Sequence, residues 1–344
     1  MTIMSRVLLI YTGGTIGMRR NSRTGALEPF HFDQMASGIP ELEHAPVEID
    51  VRQFAPPLDS SNIQPDHWRQ MVEVVAENYD HYDGFVILHG TDTMAYTAAA
   101  LSFMFENLTK PVILTGSQLP IGQLRTDGKE NLITSIEIAA AKDDEGHAMV
   151  PEVGVYFNGH LMRGNRTTKQ SAEGFNAFES FNYPHLVEAG VNISYLRHRM
   201  LRPDWQAPML AHTLMDSNVL VFSLFPGIRE DYVRHMLTMP HLRGIVMRSF
   251  GSGNAPQSEW LTQVLREAYD DGKVIVNVSQ CMAGSVEMSR YDAGCHLKDA
   301  GVVSGYDCTV EAAVTKLMYI CGHCADAEEV RSWMAKNMRG EMSV

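Results

Sequence analysis

Short apolar runs that stop at glycine, threonine or serine alternate along this chain with longer stretches whose apolar positions recur every three or four residues. "RVLLIYTGG", from Arg6 to Gly14, reads as a buried strand and a turn. "VEIDVRQF", from Val47, alternates in hydrophobicity and reads as a second strand. Pro65 to Tyr79 reads as a helix, with Pro65 near its start and Trp68, Met71, Val72 and Val75 on one face. "GFVILHGTD" is another buried strand. Asp92 to Asn107, rich in Ala, Met and Phe, predicts a helix. "KPVILTGSQ" repeats strand and turn, a helix covers Lys129 to Lys142, and "EVGVYFNG" follows. Near-continuous apolar strands separated by helices predict a parallel sheet covered on both faces. Ligands of such sheets sit beyond the carboxyl ends of the strands.

The text changes between Tyr195 and His212, where Pro203, Trp205 and Pro208 sit among mixed charges. A smaller strand–helix pattern then begins: "NVLVFSLFPG", a helix from Glu230, "LRGIVMRSFGSGNAP", a helix from Gln257, "GKVIVNVSQCMAG" and two final helices. The fold class is therefore α/β, with a larger N-terminal parallel-sheet domain over 1–195, a linker over 196–212 and a smaller C-terminal α/β domain over 213–344. The 344 residues are more than one core usually organises, which agrees with two domains.

A net charge of -13 argues against nucleic acid or an anionic membrane as partner, since both demand a basic face. The apolar run Val7–Tyr11 is too short for a signal peptide, and no stretch has the apolar length of a membrane span. Five cysteines, an odd number gathered in the last quarter, imply no disulfide framework and suit a reducing, cytoplasmic setting. "CGHC", Cys321 to Cys324, falls in a helical pattern and reads as packing rather than as a redox or metal site.

Three strand ends, "YTGGT", "LHGTDT" and "LTGSQ", place glycine beside hydroxyls where the ligand crevice is expected. The first is not a dinucleotide fingerprint, because its third glycine position is Thr15, and no Lys-Ser/Thr follows to make a phosphate loop. No Gly-x-Ser-x-Gly elbow or metalloprotease histidine pair is present. What remains is a threonine on a glycine turn, whose free amides can meet a developing oxyanion and whose hydroxyl can attack once deprotonated. Thr91 and Asp92 stand at a second strand end. Asp92 suits either a helix cap or an acceptor for an ammonium. Lys169 in "GNRTTKQSA" is the natural partner for both, as a base if desolvated or as an ordinary surface lysine. Asp59, Ser60 and Ser61 in "PPLDSSN" offer groups that hold a carboxylate.

Jointly, "YTGGTIGM", "HGTDTM", "TGSQLP", "RGNRTTK" and "GNAPQ" resemble the bacterial L-asparaginase family, nearest its cytoplasmic type I branch, in order along nearly the whole chain. The resemblance implies hydrolysis of L-asparagine to L-aspartate and ammonia in asparagine catabolism, without cofactor or metal, by a homotetramer of intimate dimers. Carried over by position, Thr15 resembles the primary nucleophile, and Thr91, Asp92 and Lys169 the second catalytic group. Asp59 and Ser60 match the loop holding the substrate's α-amino and α-carboxylate ends, Asp92 also faces the α-amino group, and Ser117 lies near the side-chain amide. Some type I members carry a second, allosteric asparagine site. The positions resembling it are Thr168, Arg248, Asn254 and Cys281, although an ordinary interface arginine fits Arg248 equally well.

One departure stands out. Family members commonly carry a tyrosine on the lid after the first loop, and "MRRNSRTGALEPF", Met18 to Phe30, has none. Another group activates Thr15, a tyrosine enters from elsewhere, or turnover is slow. The rival activities are a glutaminase, the amidase of a tRNA-dependent amidotransferase, and a non-catalytic asparagine sensor. The amidotransferase subunit ordinarily has an extra N-terminal domain, whereas the first catalytic strand here starts near Arg6. Both threonines and Lys169 speak against the sensor.

Overall fold

The computed structural model describes residues 4–20, 27–29, 39, 41–42, 46–289 and 292–344. Their contacts divide the chain into two compact units, Met1–Thr213 and Leu214–Val344.

In the first unit, β1 (Ser5–Gly13) is buried from Val7 onward, as its apolar run requires. It is followed by β2 (Met18–Arg20) and β3 (Leu27–Pro29), an antiparallel pair, and by β4 (Val47–Leu58). Helix α1 (Pro65–Glu77) buries Trp68, Met71, Val72 and Val75, the predicted stripe. Then come β5 (Gly84–Leu88), α2 (Met94–Met104), β6 (Phe105–Glu106), β7 (Val112–Thr115), α3 (Gly128–Ala140) and β8 (Val153–Phe157). The remaining strands of the unit are β9 (His160–Arg163), β10 (Thr168–Lys169), β11 (Phe178–Glu179), β12 (Val187–Ala189), β13 (Ile193–Tyr195) and β14 (Leu210–Ala211).

The main sheet has the order β13-β12-β9-β8-β7-β5-β1-β4. Five strands, β8 to β4, are parallel as expected. The other three extend it with antiparallel pairing. The reversal occurs at Asn158–Gly159, where both residues have positive φ, 50° and 82°. Asn-Gly is the preferred centre of a tight hairpin turn, so the "FNG" ending of β8 turns the chain straight back rather than into a crossover helix. Helix α2 is buried on nearly all sides, which fits its alanine-rich text. It starts two residues later than expected and stops at Met104, because Phe105–Glu106 pairs with Leu210–Ala211.

The second unit carries a four-stranded parallel sheet in sequence order: β15 (Val219–Ser223), β16 (Gly244–Ser249), β17 (Val274–Ser279) and β18 (Val303–Ser304). Its helices are α4 (Glu230–Leu237), α5 (Glu259–Asp270), α6 (Asp292–Asp299), α7 (Val310–His323) and α8 (Ala327–Met334). Leu261, Val264, Leu265 and Ala268 of α5 face the core. Lys316 of α7 is fully buried and pairs with the equally buried Glu341 at 2.7 Å. Lys316 also donates to the carbonyl of Met334, and Glu341 accepts from the amides of Met338 and Arg339, so both charges are hydrogen-bonded as well as paired.

Candidate active site

The site is built at the carboxyl ends of four adjacent parallel strands. Register aligns Gly13 of β1 with Leu58 of β4, Tyr11 of β1 with Leu88 of β5, and Leu88 with Thr115 of β7. Neighbouring strands run ~4.8 Å apart, so the turns leaving them start side by side.

The first turn is pressed against its neighbours. Gly13 and Gly14 have φ of 138° and 92°, in the region that favours glycine. A β-carbon on Gly13 would stand 2.1 Å from the Leu58 carbonyl oxygen, and one on Gly14 would stand 2.5 Å from the Gly90 nitrogen. Only glycine lets this turn lie on the ends of both β4 and β5. Thr12 donates its hydroxyl to the Leu88 carbonyl at 2.8 Å, a further tie to β5. Thr15 then opens a single 3₁₀ turn, Thr15–Gly17, and is half-buried. Among the described residues nothing hydrogen-bonds its hydroxyl, which leaves that oxygen available to a ligand. Tyr11 is fully buried, and its hydroxyl donates to the carbonyl of Gly17 at 3.1 Å, bracing the far end of the same turn. Burial pushes this phenol up to about 12, so it serves as a donor and not as a base near neutrality. The lid that follows lies partly outside the described residues, at 21–26 and 30.

The second turn, His89 to Asp92, leaves β5. Thr91 is buried and accepts a hydrogen bond from the Lys169 ammonium at 2.8 Å. The same ammonium pairs with Asp92 at 2.7 Å. The Lys169 side chain is 18% exposed and that of Asp92 is 64% exposed, so lysine is the more desolvated partner. Asp92 does not cap the following helix: the N-cap of α2 is Thr93, whose hydroxyl donates instead to the Ser60 carbonyl at 2.7 Å. Lys169 reaches this place on β10, held antiparallel to β11 with Lys169 opposite Phe178.

The third turn supplies Asp59 and Ser60. Asp59 is exposed and caps the short turn Ser60–Asn62 through the Ser61 amide at 3.0 Å, while Ser60 is buried beside Gly90. The fourth turn, after β7, carries Ser117. Its hydroxyl donates to the Leu119 carbonyl at 2.5 Å, within its own loop. Beside it is Gln118, a residue the motifs quoted without assigning it a part. Its side-chain oxygen accepts from Thr91 at 3.4 Å and its nitrogen donates to the Gly174 carbonyl at 3.0 Å. Gln118 thus links the Thr91 turn to the segment that follows Lys169. Asp127 fixes the loop by accepting from the Gln118 and Leu119 amides.

Of the residues assigned to an effector site, Thr168 lies in the first unit, opposite Glu179. Arg248, Asn254 and Cys281 gather at the carboxyl ends of β16 and β17 in the second. There Arg248 aligns with Val278, Asn254 bridges to Phe250, and the Cys281 amide donates to Ser279. The Nε of Arg248 is buried and has no partner among the described residues. The "CGHC" cysteines belong to α7 and its end. Burial pushes the Cys321 thiol up to about 11 and raises that of Cys324, so neither is primed as a thiolate. Their carbonyls accept hydrogen bonds from the Arg243 guanidinium. No helix among the described residues is long and apolar enough to cross a membrane.

The chain is similar to known proteins along nearly its whole length. The profile "Asparaginase, N-terminal" matches residues 6–201, and "Glutaminase/Asparaginase C-terminal domain" matches residues 218–334. L-asparaginase 1 of Escherichia coli K12 is 44% identical over 98% of each chain. The 60 kDa lysophospholipase of Mus musculus is 40% identical over 98% of this chain and 63% of its own. The crystal structure of L-asparaginase I from Vibrio cholerae superposes with a TM-score of 0.89 at 42% identity, covering 99% of both chains. With both profiles matched in order, and with the glycine-held Thr15 turn and the Thr91–Asp92 turn standing at neighbouring strand ends, the chain belongs to the asparaginase family.

Proposed function

We propose that the protein is an amidohydrolase that converts L-asparagine to L-aspartate and ammonia. The observation that carries this reading is the Lys169 ammonium bound at once to Thr91 and Asp92, on the strand end against which the Thr15 turn is packed. Hydroxyls, carboxylates and an ammonium suit a small zwitterion better than an acyl chain. Asp59 and Asp92 meet the substrate ammonium, and the Ser60 turn meets its carboxylate. This two-ended anchoring sets the side-chain carbonyl carbon against the Thr15 hydroxyl.

Thr15 Oγ attacks that carbon, its proton passes to the departing nitrogen, and the C–N bond breaks to release ammonia and leave an ester on Thr15. Water from the Thr91–Lys169 side then attacks the ester carbon, the C–O bond to Thr15 breaks, and the hydroxyl recovers a proton as aspartate leaves. Free turn amides stabilise the oxyanion in both halves. Ser117, with its hydroxyl engaged in its own loop, shapes the wall near the amide.

We further assign residues 1–195 to the catalytic domain, 196–212 to a linker and 213–344 to the C-terminal domain, in a cytoplasmic homotetramer. The five free cysteines support a reducing compartment. In the second unit, Arg248, Asn254 and Cys281 form an effector site whose ligand carboxylate meets Arg248. The unpartnered Nε supports this reading.

The test is ammonia and aspartate release from L-asparagine by the purified protein, measured as initial rate against concentration. Equal release by wild type and Thr15→Ala sinks the assignment of Thr15. Tight asparagine binding without aspartate identifies a sensor instead. The same curve with L-glutamine reads the discrimination between substrates one methylene apart, typically about 1–3 kcal/mol.

A further inference from the structure

His89 precedes the Thr91 turn and lies wholly inside the first unit, yet nothing above gives it a part. Its ring joins a buried chain of polar groups. The Trp68 indole nitrogen, on α1, lies 3.0 Å from the Thr97 hydroxyl on α2. That hydroxyl lies 2.9 Å from His89 Nε2, and His89 Nδ1 lies 2.7 Å from the Gly90 carbonyl oxygen. We propose that this chain is a one-way relay that fixes the Gly90–Thr91 peptide plane, making His89 a positioning residue for the reaction at Thr91. The proposal rests on the amidohydrolase reading above.

Donor chemistry sets the direction. An indole N–H only donates, so the Thr97 oxygen accepts there and has its own hydrogen left to give. It gives it to Nε2, which is unprotonated in a neutral ring whose hydrogen is on Nδ1. The ring hydrogen sits on Nδ1, and a carbonyl oxygen can only accept it. The ring must be neutral for this, because an imidazolium donates from both nitrogens. Burial supplies that condition, pushing His89 down to about 4.

The end of the relay is where the site is most crowded. In a trans peptide the C=O and N–H point in opposite directions. Holding the Gly90 carbonyl on the imidazole therefore turns the Thr91 N–H away from it, and no described residue accepts from that N–H. Three other turns rest on the same short stretch. A β-carbon on Gly14 would lie 2.9 Å from the His89 carbonyl carbon, and one on Gly90 would lie 2.5 Å from Ser60 Oγ. One on Gly116 would lie 2.4 Å from the His89 carbonyl oxygen. A rotated Gly90–Thr91 plane cannot be absorbed locally, so it displaces Thr91 and the Thr15 turn together.

A purely space-filling histidine needs only its shape, and the test separates the two roles. Imidazole ¹⁵N NMR on the whole protein is expected to show His89 with its hydrogen on Nδ1 and no titration from about pH 5 to 8. The Nε2–H form, or a titration within that range, overturns the relay. Thr97→Val keeps the volume of the link and removes its hydrogen bonds. It is expected to lower kcat about tenfold or more while KM for asparagine stays within about threefold. His89→Phe is expected to do the same, and His89→Asn, with an amide nitrogen near the place of Nδ1, to recover part of the loss. A Thr97→Val enzyme with undiminished kcat overturns the proposal even if His89→Phe fails to fold. Wild-type protein that releases no ammonia sinks the amidohydrolase reading instead, and the imidazole hydrogen still decides the relay.

Discussion

Both units of this chain end their parallel strands in polar turns, but they use them differently. In the first unit the polar groups engage one another: Lys169 holds Thr91 and Asp92, Thr93 holds the Ser60 carbonyl, and Gln118 ties Thr91 to Gly174. In the second, Arg248 stands at a strand end with its buried Nε unpartnered among the described residues. A site that performs chemistry needs its groups fixed before substrate arrives, because reorganising them during the reaction raises the barrier. A site that senses a ligand needs one strong interaction still unmade, so that binding has free energy with which to bias the protein.

The sharpest way to break this contrast is to delete the chemistry on one side. Thr15→Ala and Thr91→Ala are each expected to lower kcat by roughly a thousandfold or more, over about 4 kcal/mol of transition-state stabilisation, with an unchanged melting temperature. Loss of stability alongside activity would mean that these hydroxyls hold the fold rather than act on substrate.

The next largest effect belongs to the second unit and concerns stability. Lys316→Met leaves Glu341 buried without its partner, which is expected to cost about 3–5 kcal/mol in urea unfolding. Hydrogen exchange should locate the loss in residues 214–344. A loss confined to the first unit would contradict the division of the chain into two compact units.

Acid should act on the first unit. His89 is buried and its folded-state value of about 4 lies below the ordinary 6.5. The unfolded chain binds the extra proton, so this contribution is complete above pH 6.5 and is lost as pH falls towards 4. Its full size is on the order of 3 kcal/mol. His235, His241, His296 and His323 of the second unit are all exposed. Unfolding of wild type and His89→Asn at pH 7 and 4.5 checks this, the variant being the less acid-sensitive of the two.

The smallest expected effect is regulatory. Arg248→Ala should leave kcat at saturating asparagine within about twofold while weakening any sigmoidal response, a coupling typically of about 1–3 kcal/mol. Unaltered curvature of the rate plot would return Arg248 to the role of an ordinary structural arginine.

Much of the first unit could be read from the sequence because its signals are local. The stripe Trp68, Met71, Val72 and Val75 is the buried face of α1, and the glycine-and-hydroxyl endings are the turns that gather at the carboxyl ends of the parallel strands. The errors arise where a distant partner decides. Helix α2 stops at Met104 because Leu210–Ala211 claims the next two residues as a strand. Asp92 is the counter-case: of its two readings, cap and acceptor, the pairing with Lys169 is the one that holds, although that partner lies far along the chain. The antiparallel wing was announced by Asn158–Gly159 and overlooked beside the apolar run before it. His89 and Gln118 sat inside quoted motifs, but their parts depend on Thr97, Trp68 and Gly174, which no local spacing brings together.

For the engineer who wishes to alter substrate choice, the contact between the Gly14 and Gly90 backbones marks forbidden ground. Any saturation library that includes these two codons spends most of its members on proteins whose first and second turns have been wedged apart. Diversity is better placed at Asp59, exposed at the rim, and at Gln118, whose long, flexible side chain can be reshaped without moving the main chain beneath it.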